Sequence, residues 1–238
     1  MSRSAGPPPP YSQTDQEHDS SQTESPVKKT PSNYMTIIRE KGDIKSEFNI
    51  DPSLAIHESL RPSLLEGETQ SNRNHLNVKA LSGEIDIKVH LEPSYIGCAE
   101  ELEAKINVHS LKGDVVVRLH VPPPDDYRRR CILDVRADDG TIFLLLPQSM
   151  SGVVNVTSKG QMIVSDGLCS HFNIQNECGI TRKCLIGDIR NSRWRSSEYK
   201  KKDVVEAFAG KGRVYLQYNN EAFEKKSIGW WTSVFGTL

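Results

Sequence analysis

Six glycines recur along this chain inside one pattern of apolar residues. Every residue seven places before and two places after them is apolar, and most residues five before and four after are apolar too. A period of two residues is that of a β-strand, so each glycine is expected to join two strands. The glycines are Gly42, Gly83, Gly113, Gly140, Gly160 and Gly212, preceded at seven residues by Met35, Leu76, Ile106, Leu133, Val153 and Val205 and followed at two by Ile44, Ile85, Val115, Ile142, Met162 and Val214.

The bend at each glycine is expected to keep the apolar sides of both strands on one core. Apolar residues occupy odd positions before the glycine and even positions after it, so the alternation changes phase at the turn. A short connection ending in a residue of positive φ has this effect, and glycine adopts positive φ at no steric cost. We therefore expect Gly113→Val to be strongly destabilising, because a β-branched residue resists that conformation.

Two geometries fit this pattern: an antiparallel hairpin, or a corner where the chain passes between the stacked sheets of a solenoid. The glycines are 41, 30, 27, 20 and 52 residues apart, which is too uneven for a regular solenoid and too long for tight meanders. We predict an all-β domain over residues 34–218. Its expected form is an irregular β-solenoid or roll of glycine-cornered strand pairs, with a β-sandwich as the alternative.

Residues 1–33 form a tail of different composition. They hold six of the 13 prolines and seven serines, with few apolar residues, so they are expected to be disordered. Pro8, Pro9 and Tyr11 make a Pro-Pro-x-Tyr motif, a ligand of the kind that WW domains bind in the polyproline II conformation. Ser25 and Thr30 each precede a proline and are candidate phosphorylation sites.

A series of short motifs resembles an uncharacterised fungal domain family that is distantly similar to the adhesin-like β-solenoid domains of bacteria. The resemblance covers roughly residues 34–218, and it implies an all-β fold with no established activity, substrate or catalytic residue. Departures from the family pattern include Asn155, which interrupts an apolar position. The motifs are Tyr34-Met35-Thr36-Ile37, Ile50-Asp51-Pro52-Ser53-Leu54, Glu66-Gly67-Glu68, the recurring glycine corners and Cys184-Leu185-Ile186-Gly187-Asp188.

Charge and motif content argue against several functions. The formal net charge is −1, with no basic region interleaved with aromatic residues, so nucleic-acid binding is not expected. The chain contains no GxSxG, phosphate loop or HExxH motif, so we expect no enzyme activity and no cofactor.

The five cysteines do not form CxxC pairs, so we expect small buried hydrophobic side chains and no metal site. His90 and His120 share one register and are expected to be neighbours on an exposed polar face.

The C-terminal segment, residues 219–238, contains two of the three tryptophans after a pair of lysines. Trp230, Trp231 and Phe235 suit the boundary between water and lipid, which favours an interfacial anchor. The alternative is that the segment folds back and caps the β domain.

We therefore expect a non-enzymatic protein-interaction module whose tail offers Pro8, Pro9 and Tyr11 to WW-domain partners. A peripheral membrane protein anchored by its C-terminus is one alternative. A carbohydrate-binding or carbohydrate-acting solenoid is another; it needs clustered carboxylates, and the sequence places Asp and Glu mainly at corners such as Asp43, Glu84 and Asp114. The N-terminus has no apolar stretch of the kind found in secretory signals, and no spanning segment is evident, so a cytoplasmic protein is expected.

Overall fold

The computed structural model describes residues 30–93, 103–122, 129–187, 202–223 and 225. These residues form strands, one short α-helix (α1, Asp166–Cys169) and a single 3-10 turn at Glu58–Leu60. The strands are β1 (Met35–Arg39), β2 (Ile44–Ile50), β3 (Leu76–Ala80), β4 (Ile85–Leu91), β5 (Ala104–Ser110), β6 (Val115–His120), β7 (Cys131–Ala137), β8 (Ile142–Leu146), β9 (Gly152–Ser158), β10 (Met162–Val164), β11 (Phe172–Cys178), β12 (Thr181–Ile186), β13 (Asp203–Ala209) and β14 (Val214–Tyr218). The all-β expectation is confirmed.

The strands lie in two sheets. The larger has eight strands in the order β1-β3-β5-β7-β13-β9-β12-β11, and the smaller has six in the order β10-β14-β8-β6-β4-β2. Up to β10, successive strands alternate between the sheets and pair in parallel with strands of neighbouring turns, as β4 does with β2 and β6. The glycine bends are therefore corners between two sheets, and not hairpins. Antiparallel pairing occurs where β12 meets β9 and β11.

The core lies between the sheets, as the apolar alternation predicts. Ile85, Val115, Ile142 and Val214, each two residues after a corner glycine, are all 0% exposed. The same core contains Leu76, Ile106, Leu133 and Val205 from the strands before the corners. Both flanking positions of the repeat thus face one interior, and side chains at the alternate positions face outward.

The corner glycines stack in a column. A Cβ on Gly113 would lie 2.2 Å from the carbonyl oxygen of Gly83, and one on Gly140 would lie 1.9 Å from that of Gly113. Gly42, Gly83 and Gly113 have positive φ, as the sequence predicts, whereas Gly140, Gly160 and Gly212 do not, so that prediction is wrong for three of the six corners. At Gly140 the close approach of the neighbouring backbone excludes a side chain.

One corner differs in register from the prediction. Val153 was expected in the core, but Val154 and Val156 are buried there, and β9 pairs Val154 with Val205 of β13. The connection from Val154 to Gly160 is six residues (160 − 154), against seven from Val205 to Gly212 (212 − 205). This corner is one residue shorter, so Val153 and Asn155 face outward.

The last two strands, β13 and β14, are not added at the edge of either sheet. β13 lies between β7 and β9, and β14 lies between β8 and β10. Asp203, at the start of β13, is 2% exposed and ties both neighbours together. Its carboxylate accepts the backbone N–H of Cys131 at 3.0 Å and that of Ser151 at 3.1 Å.

Residues 165–187 form α1 and a β11–β12 hairpin at the edge of the larger sheet. Most of β11 is exposed on both faces. Cys131 and Cys184 are buried as expected, but Cys169 and Cys178 are exposed, because α1 and β11 lie outside the core. Among the described residues, no helix is both long and apolar enough to cross a bilayer.

Candidate functional site

The N-terminal tail is rooted on the free edge of β2. The backbone N–H of Ser32 donates to the carbonyl of Asn49 at 2.9 Å, and Asp51 N–H donates back to the carbonyl of Ser32 at 3.0 Å. Asn33 is 7% exposed, and its amide donates to the carbonyls of Pro52 and Leu54 at 3.1 and 3.0 Å. Residues 32 and 33 are therefore held by several hydrogen bonds, whereas Thr30 just before them is exposed.

Tyr34 completes this root. It adopts φ +54°, and its ring stacks on the ring of His75 with centroids 5.4 Å apart. The guanidinium groups of Arg61 and Arg73 each lie 5.4 Å from the Tyr34 ring. Burial, helped by the charge of nearby Lys105 and Arg129, lowers the pKa of His75 to about 4. A neutral His75 accepts the backbone N–H of Lys105 at Nδ1 (2.9 Å).

A row of polar side chains crosses the outer face of the larger sheet. The register places one residue from each of six neighbouring strands side by side, about 4.8 Å apart. Asn107 donates to Asn77 at 2.8 Å, and Asn155 donates to Glu206 at 2.6 Å. We call this set the polar row: Asn77, Asn107, Asp134, Glu206, Asn155 and Lys183.

Two carboxylates are neighbours in the middle of the polar row. Asp134 pairs in register with Glu206, because β13 lies next to β7. Partial burial raises the pKa of the Asp134 carboxyl, although the charges of Arg136 and His109 oppose the shift. Neighbouring carboxylates and amides offer hydrogen-bond acceptors and donors at a spacing suited to a hydroxyl-rich ligand.

An aromatic side chain lies beside this pair. Phe208 is two residues after Glu206 on β13 and therefore faces the same side of the sheet. The guanidinium of Arg136 lies 4.5 Å from the centre of its ring. A flat apolar surface next to polar groups is the usual composition of a site that fixes one face of a small polar ligand.

A family model matches residues 33–221, which includes Asn33 and Tyr34 of the tail root and the whole polar row, and its description is "Domain of unknown function (DUF7330)". The chain belongs to this family. The DUF7330 match agrees with the uncharacterised domain expected from the motif series, and no curated protein matches the chain.

One solved structure is similar to the DUF7330 domain at low identity. It is the crystal structure of a putative cell adhesion protein from Clostridium sporogenes, with a TM-score of 0.40 and 13% sequence identity. The similarity covers 79% of this chain and 93% of the clostridial chain.

Most residues predicted from linear motifs lie outside the described part of the DUF7330 chain. This applies to Pro8, Pro9, Tyr11 and Ser25 in the tail and to Trp230, Trp231 and Phe235 at the C-terminus. Thr30 is described and is exposed.

His90 and His120 are neighbours, as predicted from their register. Their rings stack with centroids 4.7 Å apart, and His90 Nε2 lies 2.7 Å from Glu47 Oε1. Burial lowers the pKa of His120, and the neighbouring His90 and Lys88 lower it further. In the described ranges, no group of three or more His, Cys, Asp or Glu side chains is placed to hold a metal ion.

The pairing of Asp134 with Glu206 was missed by the sequence analysis, which expected carboxylates mainly at corners. The two residues are 72 positions apart, and only the insertion of β13 brings them together. The available signal was their common position six residues before a corner glycine, Gly140 and Gly212 respectively.

Proposed function

We propose that this protein is a non-enzymatic protein-interaction module whose tail presents Pro8, Pro9 and Tyr11 to a WW domain. The observation that supports it is the tail root: Ser32 and Asn33 are fixed to the end of β2, and the chain before them starts from the exposed Thr30. A ligand motif joined to the β domain through this root remains tethered to it, at a distance set by the residues between them. The proposal assumes a cytoplasmic location.

The length of the tail sets its reach. Nineteen residues separate Tyr11 from Thr30 (30 − 11), so a fully extended chain spans about 60 Å. That distance exceeds the size of a WW domain, so binding at the motif does not require contact with the β domain. Phosphorylation of Ser25 or Thr30 would add negative charge between motif and root, and so offers a means of tuning the interaction.

A titration of the full chain against a panel of WW domains tests this proposal. Tyr11→Ala should abolish binding, because the aromatic groove of the WW domain loses its anchor. Pro10→Ala is the matched control, since residue 10 is the unspecified position of the motif and its replacement should leave affinity nearly unchanged. Absence of binding below about 1 mM, or equal affinity of the wild type and Tyr11→Ala, would rule the proposal out.

The polar row favours a second candidate function, the binding of a saccharide. Asp134, Glu206 and Asn155 supply donors and acceptors, and the stacked Arg136–Phe208 pair borders them. Since Asp134 and Glu206 both carry carboxylates, binding and hydrolysis need separate measurements.

Nuclear magnetic resonance titration with a set of oligosaccharides, followed by chromatography of the same samples, separates these outcomes. Binding should weaken at least tenfold in Asp134→Asn and in Glu206→Gln, with no new reducing ends released. Asp139→Asn, at an exposed corner, is the control and should bind like the wild type. Shifts that do not involve β7 or β13 would contradict this candidate.

A further inference from the structure

Part of the outer face of the smaller sheet is apolar and covered. Val116, Phe143 and Tyr215 are paired across β6, β8 and β14 and face away from the core. Together with Leu145 they form what we call the outer apolar patch. Val116, Phe143 and Leu145 are only 1, 4 and 2% exposed, although a sheet face without cover would leave them in water.

The chain itself crosses this face after β14 ends. Asn219 N–H donates to the carbonyl of Leu146 at 2.8 Å, and its side-chain amide donates to the carbonyl of Leu119 at the same distance. Four residues later, the ring of Phe223 meets the ring of Phe143 edge-on, with centroids 5.6 Å apart. Leu146 ends β8 and Phe143 lies near its start, so residues 219–223 run back along the outside of the sheet.

Lys225 anchors the chain after it has run back along the outside of the smaller sheet. Its ammonium bonds the carboxylate of Glu84 and lies 2.9 Å from the carboxylate of Asp114, which belong to two successive corners. It also lies 5.8 Å from the centre of the Phe143 ring. Burial would lower the pKa of Lys225, but the hydrogen bonds to Glu84 and Asp114 outweigh it and raise the pKa. The chain is thus directed across the patch toward an acidic border.

We propose that residues 226–238 of this chain dock on the outer apolar patch and complete the cover that Phe223 begins. The next residue in the sequence is Lys226, whose positive charge would match the acidic corners if the segment docks there. Beyond it, Ile228, Trp230 and Trp231 supply large apolar side chains within six residues of Lys225 (231 − 225). Tyr215 is only partly buried and offers them a remaining apolar surface.

Docking of residues 226–238 on the patch is favoured over their insertion in a membrane, because they directly follow residues that contact the patch. Phe223 and Lys225 already contact Phe143 of the patch, and a short segment attached there has a high effective concentration for it.

Tryptophan fluorescence of the full chain tests the docking. In a Trp194→Phe background, only Trp230 and Trp231 report, since the chain has three tryptophans. Docking predicts a blue-shifted emission maximum and several-fold weaker quenching by acrylamide than for a peptide of residues 226–238. Tyr215→Ser and Lys225→Glu should each move emission toward that of the peptide, while circular dichroism stays unchanged.

Ile38→Ser is the matched control, because it removes an exposed apolar side chain from the larger sheet and should leave emission unaltered. The same emission is measured with vesicles of phosphatidylcholine and phosphatidylserine, to test whether the segment inserts in lipid instead. Peptide-like emission without vesicles, or a blue shift that develops only when vesicles are added, would overturn the proposal. If Tyr215→Ser unfolds, Lys225→Glu alone decides, because Lys225 lies outside the core.

Discussion

Gly140 lies so close over Gly113 that a Cβ on Gly140 would stand 1.9 Å from the Gly113 carbonyl oxygen. The obstacle is backbone of the neighbouring turn, which cannot rotate away as a side chain would. The column of corner glycines therefore sets the spacing of successive turns, and it explains why a residue with no side chain recurs where the chain changes sheets.

Gly140→Ala should be strongly destabilising for this reason. We expect a loss of about 3 kcal/mol or more in the free energy of unfolding, because either strand β8 or the corner beneath it must shift. Gly42→Ala is the control: it has φ +87° but nothing within 4 Å of the added Cβ, so it should cost only about 1 kcal/mol. Urea denaturation of both variants measures the difference, and equal losses would show that contact with the neighbouring backbone is unimportant.

Stability should depend on pH through His75. Burial lowers the pKa of His75 from 6.5 to about 4, so between these values the unfolded chain binds a proton that the folded chain does not. The free energy of unfolding should therefore fall as the pH drops from about 6.5 toward 4, by at most about 3 kcal/mol from this group.

His75→Asn should flatten that part of the pH profile, because the amide oxygen can still accept the Lys105 N–H without titrating in this range. His57→Asn, at an exposed histidine, should keep the wild-type slope. Denaturant midpoints from pH 4.5 to 7.5 provide the measurement, and an unchanged slope in His75→Asn would contradict the assignment.

Asp203→Ala should destabilise the protein by about 2–4 kcal/mol. The change leaves the backbone N–H groups of Cys131 and Ser151 without the carboxylate that accepts them at the junction of β7, β13 and β9. Asp43→Ala removes a similar hydrogen bond, from Glu84 N–H, at an exposed corner, and should cost below about 1 kcal/mol. Thermal unfolding of both variants compares them, and a small effect at Asp203 would contradict the role given to it.

Asp51 and Arg129 form a buried ion pair whose loss should be non-additive. The two groups lie 3.2 Å apart, and their side chains are 11 and 2% exposed. Asp51→Asn should cost about 3 kcal/mol because it removes a negative charge 3.2 Å from the buried Arg129 guanidinium, whereas adding Arg129→Met to that variant should restore part of the loss. A double-mutant cycle in urea gives the coupling, and strict additivity would mean that the pair contributes nothing.

The core could be predicted from the sequence because alternation is a local property. Ile85, Val115 and Ile142 face inward for the reason that the two-residue period implies, whichever strands they pair with. The order of the strands is not local. β13 carries the same apolar pattern as β7 and β9, and that pattern does not indicate that β13 lies between these two strands.

The same distinction applies to the candidate sites. A Pro-Pro-x-Tyr motif is contiguous and can be recognised without a fold, whereas the pairing of Asp134 with Glu206 exists only once β13 is placed. The error at Val153 also has a local cause: the corner before Gly160 is one residue shorter, and counting back from the glycine then selects the wrong side of β9.

The placement of β13 and β14 has a consequence for synthesis on the ribosome. Strands β7 to β10 emerge before the pair that must lie between them, so a growing chain cannot close either sheet until Tyr218 has left the exit tunnel. Until then the edges of β7 and β9 that β13 will occupy have no partner strand, and they are free to pair with wrong strands. Completion of the fold therefore waits for β13 and β14, and a chain that terminates before β13 would lack the strands that join β7 to β9 and β8 to β10.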